Sequence, residues 1–388
     1  MTDFNQMVQR KNTNSVKWDA ITETYPETEL LPMWVADMDF LSPTFVTDAL
    51  QRFATEEVLG YSIFPDNLYQ AVIAWQQRHH HFHLNKEDIL FSSGVVPSIV
   101  TAIQAYTQPG DAILIQDPVY HPFAHSVENN QRKLVTSRLI NQNQHFEIDF
   151  VDFEKKIIAE NVKLFILCNP HNPGGRVWSQ AELAQLGSIC KKHQVLVLSD
   201  EIHQDLVFQP NVFTTFQNAA DPQGEYSIVF TAATKTFNLA GIKNSMVFIK
   251  NPELRGQFVE CQTRNCSTEI NTFGLIGTEA AYQFGDEWLA ELLLYLQENI
   301  NIATTYFKEE LPQVKVMIPE GTYLMWLDFS DYPFSDEELQ DRFIHKGKIL
   351  MNAGNIFGSA GIQHARLNLA TQKATLLEGL SRIKLALM

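Results

Sequence analysis

Uninterrupted apolar runs alternate with amphipathic stretches through the middle of the chain. The runs AILIQ (112–116), KLFILC (163–168), VLVLS (195–199), SIVF (227–230) and MVFI (246–249) are apolar at successive positions rather than at every second one. Such runs predict strands covered on both faces, as in a mostly parallel sheet flanked by helices. Between and before them, 95–107, 180–193, 44–57 and 66–82 place apolar residues at helical spacing, the last two separated by GYSIFPDN. The interleaving predicts an α/β fold. The first forty residues are polar and irregular up to LPMWVADMDF. From 286 a long helical pattern runs through 310, followed by GTYLMWLDF, a helix-like 336–346 and a terminal helix over 371–385. The expected organisation is a large domain over 45–285 and a smaller α+β domain formed by 1–44 with 286–388.

Composition narrows the classes. With 388 residues, 45% hydrophobic and 19% charged, the chain has the make-up of an ordinary globular protein of two lobes. A formal net charge of -16 argues against nucleic-acid binding, because a phosphate backbone would be repelled. No window approaches the roughly 20 apolar residues needed to cross a bilayer, so no membrane role is expected. Cys168, Cys190, Cys261 and Cys266 lack metal-ligand spacing and nothing resembles a signal peptide; a reduced, cytoplasmic setting is expected.

Chemistry in a parallel sheet collects at the carboxyl ends of its strands, and four stretches sit there. In FSSGVVPSI, Gly94 and Val95 open a helix whose first N–H groups either hold a phosphate or merely make a tight turn. In LCNPHNPGGRVW, the prolines forbid regular structure and present Asn172, a donor and acceptor at once. In VLVLSDEIHQDLVF, Asp200 comes immediately after the buried strand residues, where it either caps a helix or meets a cation or ring N–H. Lys235, in TAATKTFNLAG, follows an apolar strand without charged neighbours. Desolvation there pushes an amine toward its neutral, nucleophilic form. A lysine amine, a strand-end acid, a phosphate-holding turn and an asparagine loop together describe a pyridoxal 5'-phosphate site.

Over nearly its whole length the chain resembles the fold-type I pyridoxal-phosphate enzymes of the class I/II aminotransferase superfamily, with an aspartate-aminotransferase-like fold. MWVADMDF, PVYHPF, NPHNPGGRVW, SDEIHQDLVF and TKTFNLAG are similar to the MalY/PatB branch of cystathionine β-lyases, or carbon–sulfur lyases. The resemblance implies that Lys235 forms the Schiff base, Asp200 pairs with the pyridine nitrogen, Asn172 and His203 approach the ring 3-oxygen, and Tyr120 stacks on the ring. It further implies phosphate binding by Gly94 and Val95 with Thr234 and Lys243 nearby, and capture of the substrate carboxylate by Arg366 in HARLNLA. Tyr61 would reach the phosphate of a neighbouring subunit, which requires a homodimer, and would be one candidate to protonate the leaving sulfur.

The implied reaction is α,β-elimination on a sulfur amino acid such as cystathionine, giving homocysteine, pyruvate and ammonia. An aminotransferase and a non-catalytic regulatory or interaction protein that binds the same cofactor are the alternatives. Lys243 stands where aminotransferases commonly place a phosphate-binding arginine, and Ala232 where a serine is common. Trp34 is either a core aromatic or a group at the substrate entrance. RHHHFH (78–83), with His79 and His83 on one expected helix face, reads as a solvated helix end rather than a metal site. Glu201 reads as a charge at a helix start.

Overall fold

The computed structural model describes residues 2–25 and 29–388. Its centre is an eight-stranded sheet. Across it the strands run in the order Ile89–Ser92, Ser245–Phe248, Ser227–Thr231, Leu196–Asp200, Leu164–Cys168, Ala112–Asp117, Lys133–Asn141 and Phe146–Ile148. The inner strands pair in parallel, while Ser245–Phe248 is antiparallel to both of its neighbours. Every residue of Ala112–Asp117, Leu164–Cys168 and Ser227–Thr231 is buried, because helices cover both faces. Lys133–Asn141 instead alternates buried and exposed over most of its length, a period-two strand near the sheet's border that the search for continuous runs passes over.

A second, four-stranded antiparallel sheet takes Lys315–Met317, Leu324–Asp328, His364–Asn368 and Asn352–Ala353 in that order. The N-terminal segment joins this end of the molecule, where Leu31–Pro32 pairs in parallel with Ile349–Leu350. The long helix is Asp286–Glu310, as its spacing predicts. The 336–346 pattern is realised as a helix over Asp336–Asp341 that widens into a π-turn over Arg342–Gly347. The terminal helix begins later than its spacing suggests, at Lys373, because Gln372 is held back in extended backbone by donating to Asp39 O (2.7 Å).

Two junctions bring the sheets together. Gly175, at φ +68, lies so near Pro319 that a Cβ there would sit 2.6 Å from the proline Cβ; only glycine serves. Its carbonyl accepts from Glu320 and Gly321 N–H, at 2.9 Å each, and Arg176 pairs with Glu320. At the other junction, Asp117 accepts from Ser359 Oγ (2.7 Å), and Val119 N–H donates to Phe357 O (2.9 Å). Loops 118–121 and 169–176 are thereby pressed against the second sheet.

Candidate active site

A cavity of 480 Å³ opens between the two sheets, at the carboxyl ends of the large sheet's parallel strands. At one end it is lined by Gly94, Val95, Thr234 and Lys243, and deeper in by Asp200, His203, Asn172 and Tyr120. Lys235, Arg366 and Trp34 complete it. A somewhat larger surface groove of 590 Å³ lies against helices Phe150–Glu160 and Gln180–Lys192. Its one carboxylate, Glu154, is already paired with Lys192 and His193.

Asp200 is the last residue of its strand, one position further in than the apolar run suggests. No helix follows, so it caps none; Oδ1 accepts from Ile202 N–H (3.1 Å). Burial pushes its carboxyl up to about 7, against the opposing pull of that N–H and of Lys235. Glu201 opens no helix of its own but accepts from the first residue of the short helix Phe216–Ala220. It is fully buried on the far side of the strand, takes Ser199 Oγ and Phe216 N–H (2.8 Å each), and is also raised to about 7 by burial.

Lys235 stands in the single helical turn Ala233–Thr236 after strand Ser227–Thr231. Burial, and then the Arg366 charge, lower its amine to about 8, while Asp37 and Asp200 act the other way. Its Nζ donates to Ala36 O at 2.6 Å. Asp205 anchors the turn from below, accepting from Thr236 Oγ1 (2.6 Å), His80 Nε2 (2.7 Å) and Trp75 Nε1 (3.0 Å).

Arg366 projects from strand His364–Asn368. Its Nη1 donates to Asn172 Oδ1 (2.9 Å), and its Nη2 to Asn352 Oδ1 (2.6 Å) and Trp34 O (3.0 Å), while Nε is buried without a partner. Burial brings the guanidinium down to about 10. His203 is held neutral, its pKa depressed by burial and then by Lys235 and Arg366; its Nδ1 is buried and unpartnered. Trp34 is fixed by its indole, which donates to Lys17 O (3.0 Å).

Tyr61 is the predicted residue that the cavity does not gather. Its side chain is fully exposed, as are Val58 and Ile63 beside it. The helix bearing the histidine run ends at His80, which takes His83 off the expected face, and His79 binds Asp286 (2.5 Å). Among the described residues no cluster could hold a metal ion, and no helix is long and apolar enough to cross a membrane. His121, Asn352 and Ala36 also line the cavity, and nothing in their sequence context marks them. The first two are isolated polar residues in loops or short strands, and a backbone oxygen carries no residue-type signal.

Tested against the expected pyridoxal 5'-phosphate, the donor set fits. A carboxyl raised by burial suits a ring N–H. The orphaned Nδ1 of His203 and Nε of Arg366 are two further polar groups without protein partners. The Val95–Tyr106 helix presents its first turn to the cavity beside Lys243, as a phosphate requires.

The model of the family described as aminotransferase class I and II matches residues 29–383. The chain is similar to cystathionine beta-lyase PatB of Bacillus subtilis (strain 168), 43% identical over 385 residues that cover 99% of this chain and 100% of that protein. It is 28% identical over 383 residues to the protein MalY of Escherichia coli (strain K12), covering 98% and 97%. It superposes on cystalysin from Treponema denticola, which contains a pyridoxal 5'-phosphate cofactor, with a TM-score of 0.97, 34% identity and coverage of 100% and 99%. For the pyridoxal-phosphate-bound C-S lyase from Staphylococcus hominis the TM-score is 0.93, with 34% identity and coverage of 100% and 98%.

Proposed function

This chain belongs to the class I and II aminotransferase family, and from that premise we propose that it is a pyridoxal 5'-phosphate-dependent carbon–sulfur lyase acting on cystathionine or related cysteine conjugates. The observation that carries the reading is the meeting, in one desolvated cavity, of an amine lowered to about 8, a carboxyl raised to about 7 and a guanidinium with a free Nε. Asp200 would hold the ring nitrogen, Asn172 and His203 the 3-oxygen side, and Tyr120 the ring face. Gly94, Val95, Thr234 and Lys243 would hold the phosphate. When bound, the cofactor supplies an electron-withdrawing system that accepts the pair left when a Cα proton departs.

The chain's own groups do the rest. Arg366 takes the substrate carboxylate on its planar fork and so fixes the direction of the Cα–H bond. Near pH 8 about half of the Lys235 amines are neutral, a base matched to the working pH. Lys235 removes the Cα proton and becomes an ammonium ion. The Cβ–S bond then breaks and the thiolate leaves with its electron pair. It is protonated by the Lys235 ammonium or by Tyr61 of the partner subunit. Trp34 closes the entrance over the departing group. The net change is cystathionine plus water to homocysteine, pyruvate and ammonia.

Incubation of the purified protein with cystathionine and no keto acid should release thiol and pyruvate in equal amounts. No thiol, with the substrate's amino group passed to an added keto acid, would replace elimination by transamination; no reaction under either condition would replace it by a binding role.

The same reading divides the chain into a cofactor-binding domain over 45–285 and a smaller one from its two ends. It also makes the protein a homodimer: Val58, Tyr61 and Ile63 are 83–102% exposed in one chain, a surface suited to burial against a second copy. Mixed dimers of Lys235→Ala and Tyr61→Ala chains should regain about a quarter of the parent activity, since half of them are hybrids and each hybrid has one intact site. Failure of the mixture to exceed its components would remove Tyr61 from the shared site. Free thiols at all four cysteines support a reduced, cytoplasmic setting.

A further inference from the structure

We propose that Tyr323 is a positioning residue for Lys235, acting through the backbone carbonyl of Ala36; the proposal rests on the lyase reading above. The Ala36 oxygen receives two hydrogen bonds, from Lys235 Nζ at 2.6 Å and from Tyr323 Oη at 2.8 Å. Tyr323 is 1% exposed and does not line the cavity. Its ring meets that of His203 edge-on, with centroids 6.1 Å apart. Burial, with Asp37 adding to it, pushes the phenol upward, so its hydroxyl stays a donor. Apart from that edge contact with His203, it reaches the site through the carbonyl it holds.

The surrounding backbone shows that this hold is one of a series. Five successive carbonyls, from Trp34 to Met38, each accept from a side chain. Trp34 O takes Arg366, Val35 O and Asp37 O take the two-handed amide of Asn368 (2.6 and 2.7 Å), and Met38 O takes Arg10 and Asn238 (3.0 Å each). At Ala36 the only such donor among the described residues, besides the reacting lysine, is Tyr323. The segment is an immobilised rail, and Tyr323 is the clamp under the lysine.

A neutral primary amine has two N–H bonds and one lone pair. With one N–H directed at a fixed oxygen, the lone pair is confined to directions away from it, toward the cavity, and the search over rotamers before proton removal is shortened. The ammonium formed afterwards donates to the same oxygen. The charged groups that face this amine are Arg366 and Lys243, which disfavour its cation, and Asp37 and Asp200, which favour it; Tyr323 adds no charge and alters only geometry.

Tyr323→Phe removes one oxygen and keeps the ring. The expected result is a fall in kcat of about tenfold, the scale of one lost hydrogen bond in a transition state, with KM for cystathionine changed by less than about twofold. The deuterium isotope effect at Cα should rise, because proton removal becomes slower relative to the other steps. In crystals of the cofactor-free parent, Lys235 Nζ should lie within hydrogen-bond distance of Ala36 O, and in the variant it should leave that position. Unchanged kcat and isotope effect, a loss appearing in KM alone, or a parent Nζ placed elsewhere would each overturn the proposal. The crystal measurement on the parent decides it even where the variant does not fold. A parent that releases no thiol would refute the lyase reading while leaving the crystal comparison to judge the clamp.

Discussion

Lys235→Ala should lower thiol and pyruvate release from cystathionine by at least about 10⁴-fold, since in the proposed mechanism one amine serves both as the covalent attachment and as the base. Protein denatured after borohydride treatment with pyridoxal phosphate should carry the cofactor label at residue 235 in the parent and none in the variant. The fold itself should survive, and stability offers an independent readout. The amine is lowered from 10.5 to about 8, so folding penalises its cation. Between those values the unfolded chain binds more protons than the folded one, and stability grows as pH rises. The penalty is fully present below about pH 8 and gone above about 10.5. In Lys235→Ala this share of the pH slope should vanish, as measured by melting temperatures of cofactor-free protein from pH 7 to 10.5. A variant that keeps more than a hundredth of parent turnover would displace Lys235 from the centre of the mechanism.

Asp200→Asn should produce opposite effects with and without cofactor. Burial raises the Asp200 carboxyl from 3.8 to about 7, so in the cofactor-free protein its stability contribution is present below pH 3.8 and lost as pH climbs through about 7. Asparagine carries no charge to desolvate, and the cofactor-free variant should melt a few degrees above the parent at pH 8. With cofactor, the parent carboxylate has a ring N–H to answer it and the amide supplies no charge. Turnover should then fall by about 10³-fold, within the range for losing a preorganised electrostatic partner. Glu201, raised in the same window by the same cause, is untouched by the substitution and sets the residual slope. Cofactor-free parent and variant with the same melting profile would show that Asp200 is already satisfied by the protein.

How much of this was written in the sequence depends on which interactions each residue type advertises. The buried parallel strands were legible because a strand covered on both faces has no polar positions to spare. For the same reason the end of one run was read a residue short: Ser199 and Asp200 are polar yet wholly inside. Lys133–Asn141 was missed because its alternation marks a different environment. Lys235, Asp200, Asn172 and Arg366 stood out as costly groups at strand ends or in a resembling motif, and the structure gathers them into one cavity. Glu201 does meet a helix start, but at Phe216, 15 residues on, rather than directly after its own strand, and Ser199 also donates to it. The grip of Tyr323 on Ala36 could not be read, since it joins residues 287 positions apart through an oxygen that every residue has.

The rail from Trp34 to Met38 is completed by Arg366 and Asn368, which a ribosome adds more than a hundred residues after the last strand of the large sheet, Ser245–Phe248. The wall against which the reactive amine rests thus cannot be finished until the strand His364–Asn368 of the second sheet has been made. A nascent chain that already contains every residue of the large sheet holds its lysine without that backing. Competence toward small aldehydes and amino acids in the surrounding medium is therefore withheld until that later strand has docked.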